Sequence, residues 1–230
     1  DWPTYRGNAQ RSGSAAHGAT SMPDTLRVLW RKRIVPSSDK LPFSLAESWD
    51  SRIAASQPMT APIAADGRLF VAGVHTGQLA ALKPETGETL WRTSLAGRVD
   101  SPPTYHNGLL LVGCHDGWVY ALRATDGAMA YRVRIAPADR RLVAYSQVES
   151  FWPAAGSVLV HDGVAYATAG RSTQASGGIA LVAFKPETGQ MLWARHLAGL
   201  GLERDQHRLR AGRRTRLALA AVRPEDRRRS

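Results

Sequence analysis

The residue types in this chain that could do chemistry are seven histidines, one cysteine and a scatter of carboxylates, so metal binding is the first chemistry to test. Their spacing argues against it. His106 and His161 each stand directly before an Asn-Gly or Asp-Gly pair, and His75 and His115 each stand two residues before another glycine. Positions that recur in this way belong to successive copies of one unit and lie about a unit's width apart, whereas a metal takes its nitrogen ligands at about 2.0–2.1 Å. The four are expected as surface or turn-bonded imidazoles. Cys114, the single cysteine, excludes an internal disulfide and a Cys-clustered zinc or iron–sulfur site, and is expected as a small buried residue at a strand end. The chain has no Walker loop, no G-x-S-x-G and no dinucleotide fingerprint, and no catalytic residue, cofactor ligand or metal ligand is assigned.

What remains is recognition. Residues 137–152, PADRRLVAYSQVESFW, bring together Arg140, Arg141, Tyr145, Glu149 and Trp152, types enriched where binding energy concentrates. Loops carried on a rigid scaffold commonly hold function. Two readings stand side by side: a candidate interaction loop, or a bridge between units with Trp152 in the core and the arginines solvated.

The elements that must position these residues come from an internal repeat. Residues 66–91 read DGRLFVAGVHTGQLAALKPETGETLW, residues 107–131 read NGLLLVGCHDGWVYALRATDGAMAY, and residues 162–193 read DGVAYATAGRSTQASGGIALVAFKPETGQMLW. Each copy runs from Asp-Gly or Asn-Gly through an apolar stretch, a second glycine turn, another apolar stretch and a Thr-Gly or Asp-Gly to a closing aromatic. Asp-Gly and Asn-Gly between alternating apolar residues supply the positive φ that tight hairpins demand, so each copy is a chain of hairpins. With the apolar run before each opening turn, there are four short strands per copy. Trp91 and Tyr131 are 40 residues apart, the period of a four-stranded propeller blade. The longer third spacing is taken up by residues 137–152 and 171–178, read as insertions.

The segment ALKPETGETLW at 81–91 resembles the tryptophan-docking repeat of quinoprotein dehydrogenases, Ala-x-Asp-x-x-Thr-Gly-x-x-x-Trp. AFKPETGQMLW at 183–193 fits equally well, and ALRATDGAMAY at 121–131 is a weaker copy. All three depart from the pattern at its aspartate, which is Lys83, Arg123 and Lys185 here. The opening DWPTYRGNAQRSG is similar to the usual entry of bacterial PQQ-like repeat proteins. LWRKRI at 29–34 matches the ends of the later copies, so Trp30 closes an earlier blade. The resemblance implies an all-β fold: a β-propeller of four-stranded antiparallel blades, about three to four of them, in an incomplete ring. It implies blades at about 58–95, 99–135 and 153–197 within a propeller segment spanning 1–200. It also implies structural docking roles for Trp30, Trp91, Tyr131 and Trp193, each aromatic packing over the glycine turn of a neighbouring blade, with Gly87, Gly127 and Gly189 as the turn glycines.

For function, the resemblance implies a non-enzymatic binding scaffold of the bacterial cell envelope, periplasmic, with a protein or carbohydrate partner and no cofactor. The alternative is a fragment of a PQQ-dependent dehydrogenase, which would need the quinone, calcium and an aspartate base, and in the alcohol dehydrogenases two adjacent cysteines. The net charge of +11 suggests a third reading, nucleic-acid binding. Residues 202–230, however, carry ten arginines against four carboxylates, so this tail supplies most of the charge. It has no lysine and no aromatic for base stacking, and it breaks off where the repeat should resume after Leu197. An altered reading frame has that look, and no DNA partner is expected. No run of 18 apolar residues occurs, so no membrane-spanning helix is expected either.

Overall fold

The structure, a computed structural model, describes residues 1–14, 25, 27–32, 59–144, 147–174, 177–198 and 202–203. Tyr145 and the arginine-rich residues beyond 203 lie outside it. The described residues are strands and turns, with no helix long and apolar enough to cross a membrane. The first sheet is β1 (Ile63–Ala65), β2 (Arg68–Ala72), β3 (Gln78–Leu82) and β4 (Thr89–Ser94). The second is β5 (Thr104–His106), β6 (Leu109–Gly113), β7 (Trp118–Arg123) and β8 (Met129–Arg134). A two-stranded sheet follows, β9 (Arg141–Ala144) with β10 (Gln147–Ser150). The last sheet is β11 (Leu159–His161), β12 (Val164–Ala169), β13 (Ile179–Phe184), β14 (Met191–Ala198) and a short β15 (Leu202–Glu203). Within each large sheet the strands pair antiparallel in chain order. This is the all-β, unclosed propeller architecture that the repeat implies.

Local chemistry sets the turns. Asp66-Gly67, Asn107-Gly108 and Asp162-Gly163 have positive φ at both residues, between 45° and 80°, and join the first strand of each blade to the second. The twist of such turns matches that of the strands they connect. Asp116-Gly117 and Asp126-Gly127, expected to work the same way, do not: only their glycines have positive φ. There the aspartate caps instead, its Oδ1 accepting from the Trp118 amide at 3.1 Å and from the Ala128 amide at 2.9 Å. The turn between third and fourth strands recurs in all blades. Gly87, Gly127 and Gly189 each donate to the carbonyl four residues back (Lys83, Arg123, Lys185) at 2.8 Å, with a register shift in the preceding ladder. The departures from the family's aspartate thus fall on a position whose backbone makes the turn.

The blades stack face to face. Ile63, Phe70 and Leu79 of the first meet Leu110, Val112, Tyr120 and Leu122 of the second in one core cluster. Leu111, Val119 and Val133, on the other face of the second blade, meet Ala165, Ala167, Val182 and Phe184 of the third in another. Being covered on both faces, β6 reads as an unbroken apolar run, whereas in β12 buried Ala165, Ala167 and Ala169 alternate with Val164, Tyr166 and Thr168.

Between blades, three aromatics bridge. Trp30 lies on Gly87 and donates its indole N–H to Pro84 O at 2.7 Å. Trp91 lies on Gly127 and donates to Ala124 O at 3.0 Å. Tyr131 lies on Gly189, its hydroxyl donating to Pro186 O. A Cβ at Gly127 would stand 2.5 Å from the Trp91 ring, so only glycine permits the contact. Trp193, the fourth aromatic of the series, is 39% exposed and faces Tyr166 of its own blade, ring centroids 6.1 Å apart.

Candidate functional site

Because the strands of each blade alternate in direction, the β1–β2 and β3–β4 turns lie at one end of a blade, and the β2–β3 turn and the link to the next blade at the other. The docking aromatics and their glycine turns occupy the first end. Residues 137–152 and 171–178 enter at the second, where the candidate interaction residues collect.

Residues 137–152 are not an irregular loop. They fold as a hairpin in which Gln147 pairs with Ala144, Val148 with Val143, Glu149 with Leu142 and Ser150 with Arg141. Alternation along β10 then separates its side chains. Val148 is 60% exposed and its cross-strand partner Val143 is 75% exposed, while Glu149 is 1% exposed. The burial of Glu149 is explained by its partners. Arg171, from the second insertion, donates to its Oε2 at 2.5 Å. His115 Nδ1, in the β6–β7 turn, stands 3.0 Å from the same oxygen, and Arg98 Nε, in the β4–β5 link, stands 3.6 Å from Oε1. The contact with His115 lies off the line of a hydrogen bond and is electrostatic. His115 Nε2 is hydrogen-bonded to Asp100 at 2.9 Å, and Arg98 Nη2 donates to the same carboxylate at 3.0 Å. Burial raises the pKa of Asp100, but the bonds and charges of His115 and Arg98 outweigh it and hold the carboxyl below the usual range. Two guanidiniums and two carboxylates thus surround an imidazole that is 2% exposed, and the cluster ties three blades and the hairpin together. Backbone bonds add to it: Ser150 N to His115 O at 2.7 Å, and Gln147 Nε2 to His75 O at 2.8 Å.

The expectation of surface or turn-bonded imidazoles therefore fails for His115, which two carboxylates bury. His106 bridges to Glu187 of the third blade at 3.0 Å, and His161 is exposed beside Asp162. Cys114 is fully buried after β6, and burial first, with the Asp116 carboxylate second, pushes its thiol far above the usual range.

Among the other interaction residues, Arg140 is exposed and its guanidinium sits 4.3 Å from the centroid of Phe151. Arg141 is exposed and 3.4 Å from Asp139. Trp152 is half-buried, packing on the cluster of Ala154, Val158 and Phe184, with the backbone of Gly177 from the second insertion beside its ring. Beneath the hairpin runs a cleft of about 310 Å³ lined by Asp116, Trp118, Arg132, Arg141 and Val148. Arg132 covers the Trp118 ring at 4.4 Å. The sequence reading missed Arg98, Asp100, His115 and Arg171. Only His115 stood out locally, and nothing in its neighbourhood announces partners 15 and 34 residues away.

The quinone-dependent reading needs calcium ligands. Among the described residues no three His, Cys, Asp or Glu side chains are grouped to hold a metal, and the carboxylates of the His115 cluster are already engaged by arginines. The residues described do not fit that ion.

Four-stranded blades locked by aromatic-on-glycine docking define a PQQ-like β-propeller repeat protein. Residues 22–215 match the family model described as outer membrane protein assembly factor BamB, and the chain belongs to that family. It is 34% identical over 98 residues to the outer membrane protein assembly factor BamB of Burkholderia pseudomallei, covering 42% of this chain and 25% of that protein. It is 30% identical over 86 residues to the BamB of Nitrosomonas eutropha, covering 37% and 20%. The matches thus span a quarter or less of these relatives. Among solved structures, the quinohemoprotein alcohol dehydrogenase of Comamonas testosteroni is similar, with a TM-score of 0.48 and 19% identity over 59% of this chain and 20% of that one.

Proposed function

We propose that this chain is a non-enzymatic binding scaffold of the bacterial cell envelope that engages a protein partner through the β9–β10 hairpin. The observation that carries this reading is the hairpin itself: Val143 and Val148 stand paired and exposed on a ribbon whose opposite face is pinned by the buried Glu149 cluster. A rigid, apolar, exposed strand pair is a template for strand addition, in which main-chain hydrogen bonds give affinity and side chains give specificity. Among the described residues β9 and β10 pair only with each other. Arg140 and Arg141 flank the valines as a polar rim. The envelope setting is supported by the relatives, whose names place them in outer membrane protein assembly. A carbohydrate partner fits less well, because sugars stack on open aromatic faces and both Trp118 and Phe151 are covered by guanidiniums.

The test is site-specific photocrosslinking from Val143, Val148 and, as a control, Arg92 on β4, in envelope fractions of a bacterium expressing the chain. A discrete protein adduct from both valines and none from Arg92 is expected. Equal labelling from all three sites, or a rise in melting temperature on adding pyrroloquinoline quinone with calcium, would overturn the reading.

A further inference from the structure

The first strand of each blade has one edge paired to the second strand and one edge free. Among residues 1–14 the structure shows what meets the free edges. In β1, Ile63 and Ala65 face β2 while the intervening Ala64 turns its polar groups the other way, and both are taken by Trp2. Trp2 N donates to Ala64 O at 2.6 Å and Ala64 N to Trp2 O at 3.0 Å. In β5 the middle residue again points outward, and Tyr105 N donates to Pro3 O at 2.7 Å. The next residue, Thr4, is buried, with its hydroxyl 3.0 Å from that of Thr104, which in turn donates to Val158 O at 2.6 Å ahead of β11. Farther on, Arg11 Nη2 donates to Ser157 O at 3.2 Å.

Residues 2–4 therefore run along the first-strand edges of two successive blades, with Arg11 reaching the backbone just ahead of β11 in the third, and the sequence follows the bonds it makes. Trp2 exchanges both backbone bonds. Pro3 offers only a carbonyl, so the N–H that proline lacks is not needed. Thr4 is small and carries the one hydroxyl that completes the Thr104–Val158 chain. After it, a turn closed by Gly7 N donating to Thr4 O at 2.9 Å folds the segment back over the Trp2 ring.

We propose that the first-strand edges of the first two blades, β1 and β5, form a binding groove for an extended polypeptide, occupied in this chain by its own residues 1–14 as a displaceable strap. The groove selects an aromatic residue, then a residue that needs no N–H, then a small hydroxyl. It is distinct from the β9–β10 hairpin and stands whether or not the hairpin binds a partner. An occupant tethered in the same chain competes at an effective concentration in the millimolar range, so a free segment of the same pattern enters only when the strap is removed or weakened.

The probe is a labelled synthetic peptide of residues 1–14, titrated by fluorescence anisotropy against the full chain, against the chain lacking residues 1–14, and against the full chain carrying Trp2→Ala with Thr4→Val. Saturable binding is expected to the last two, with binding to the unaltered chain weaker by roughly tenfold or more. A peptide carrying the same two substitutions should bind none of them. A folded shortened chain or a folded double variant that ignores the peptide overturns the proposal, as does equal binding to all three proteins. Should the shortened chain fail to fold, the double variant decides. In amide hydrogen exchange, Ala64 and Tyr105 should lose protection in it while Phe70 and Leu111, inside the sheets, keep theirs. Unchanged protection at Ala64 and Tyr105 is equally fatal.

Discussion

Trp91 and Gly127 show how one pair of residues couples two blades. The indole stacks on a backbone that only glycine leaves bare and donates to the Ala124 carbonyl three residues earlier. Trp91→Ala removes both and leaves a cavity, and should cost about 3–5 kcal/mol in urea unfolding. Gly127→Ala should be comparably disruptive, since the added methyl meets the ring and the φ of 72° disfavours any side chain. Such residues were legible in the sequence because each is local to a repeat and recurs at fixed offsets. Glu149 was not. Its type suggested a surface contact, yet its partners come from three other segments, and no local pattern records that Arg98, His115 and Arg171 converge on it. Glu149→Gln removes the buried counter-charge of Arg171 and leaves Arg98 with Asp100 alone. The expected loss is about 3–5 kcal/mol, read as a lower urea midpoint.

At the scale of elements, hairpins with Asp-Gly and Asn-Gly openings were readable because positive φ at both turn residues is a demand few residues meet. The inserted hairpin β9–β10 was not, because its turn carries no glycine and its alternation is short. Anchoring and contact separate cleanly within it. Val143→Asp together with Val148→Asp alters only exposed positions, so the melting temperature should stay within a degree or two while partner crosslinking is lost. Should the same pair of changes instead unfold the chain, the valines belong to the fold and the hairpin is no docking element.

For the molecule as a whole, the propeller class followed from self-similarity, which samples the entire chain, while the meeting of both insertions at one end followed from strand direction and needed three dimensions. The ion cluster at that end gives the fold an acid limit. Asp100 is held below its ordinary value of 3.8, so the stability it contributes is complete above that value and is lost as the pH falls through the lower value of the folded state. Melting temperatures measured from pH 5 downward should therefore drop below about pH 4, and Asp100→Asn should flatten part of that fall. At the alkaline side Tyr131, raised to about 12 by burial and the nearby Glu187, contributes up to pH 10 and loses its contribution as the pH climbs toward 12.

The docking of each aromatic onto the following blade also gives the chain a direction in time. During synthesis Trp30, Trp91 and Tyr131 each emerge before the glycine turn that receives them, by about 35 to 60 residues. At elongation rates of roughly 5–20 residues per second, each ring waits for seconds before its socket exists. A nascent propeller of this kind always presents one uncovered aromatic at its growing end, a standing point of attachment for a chaperone and a standing risk of misassembly until the next blade arrives.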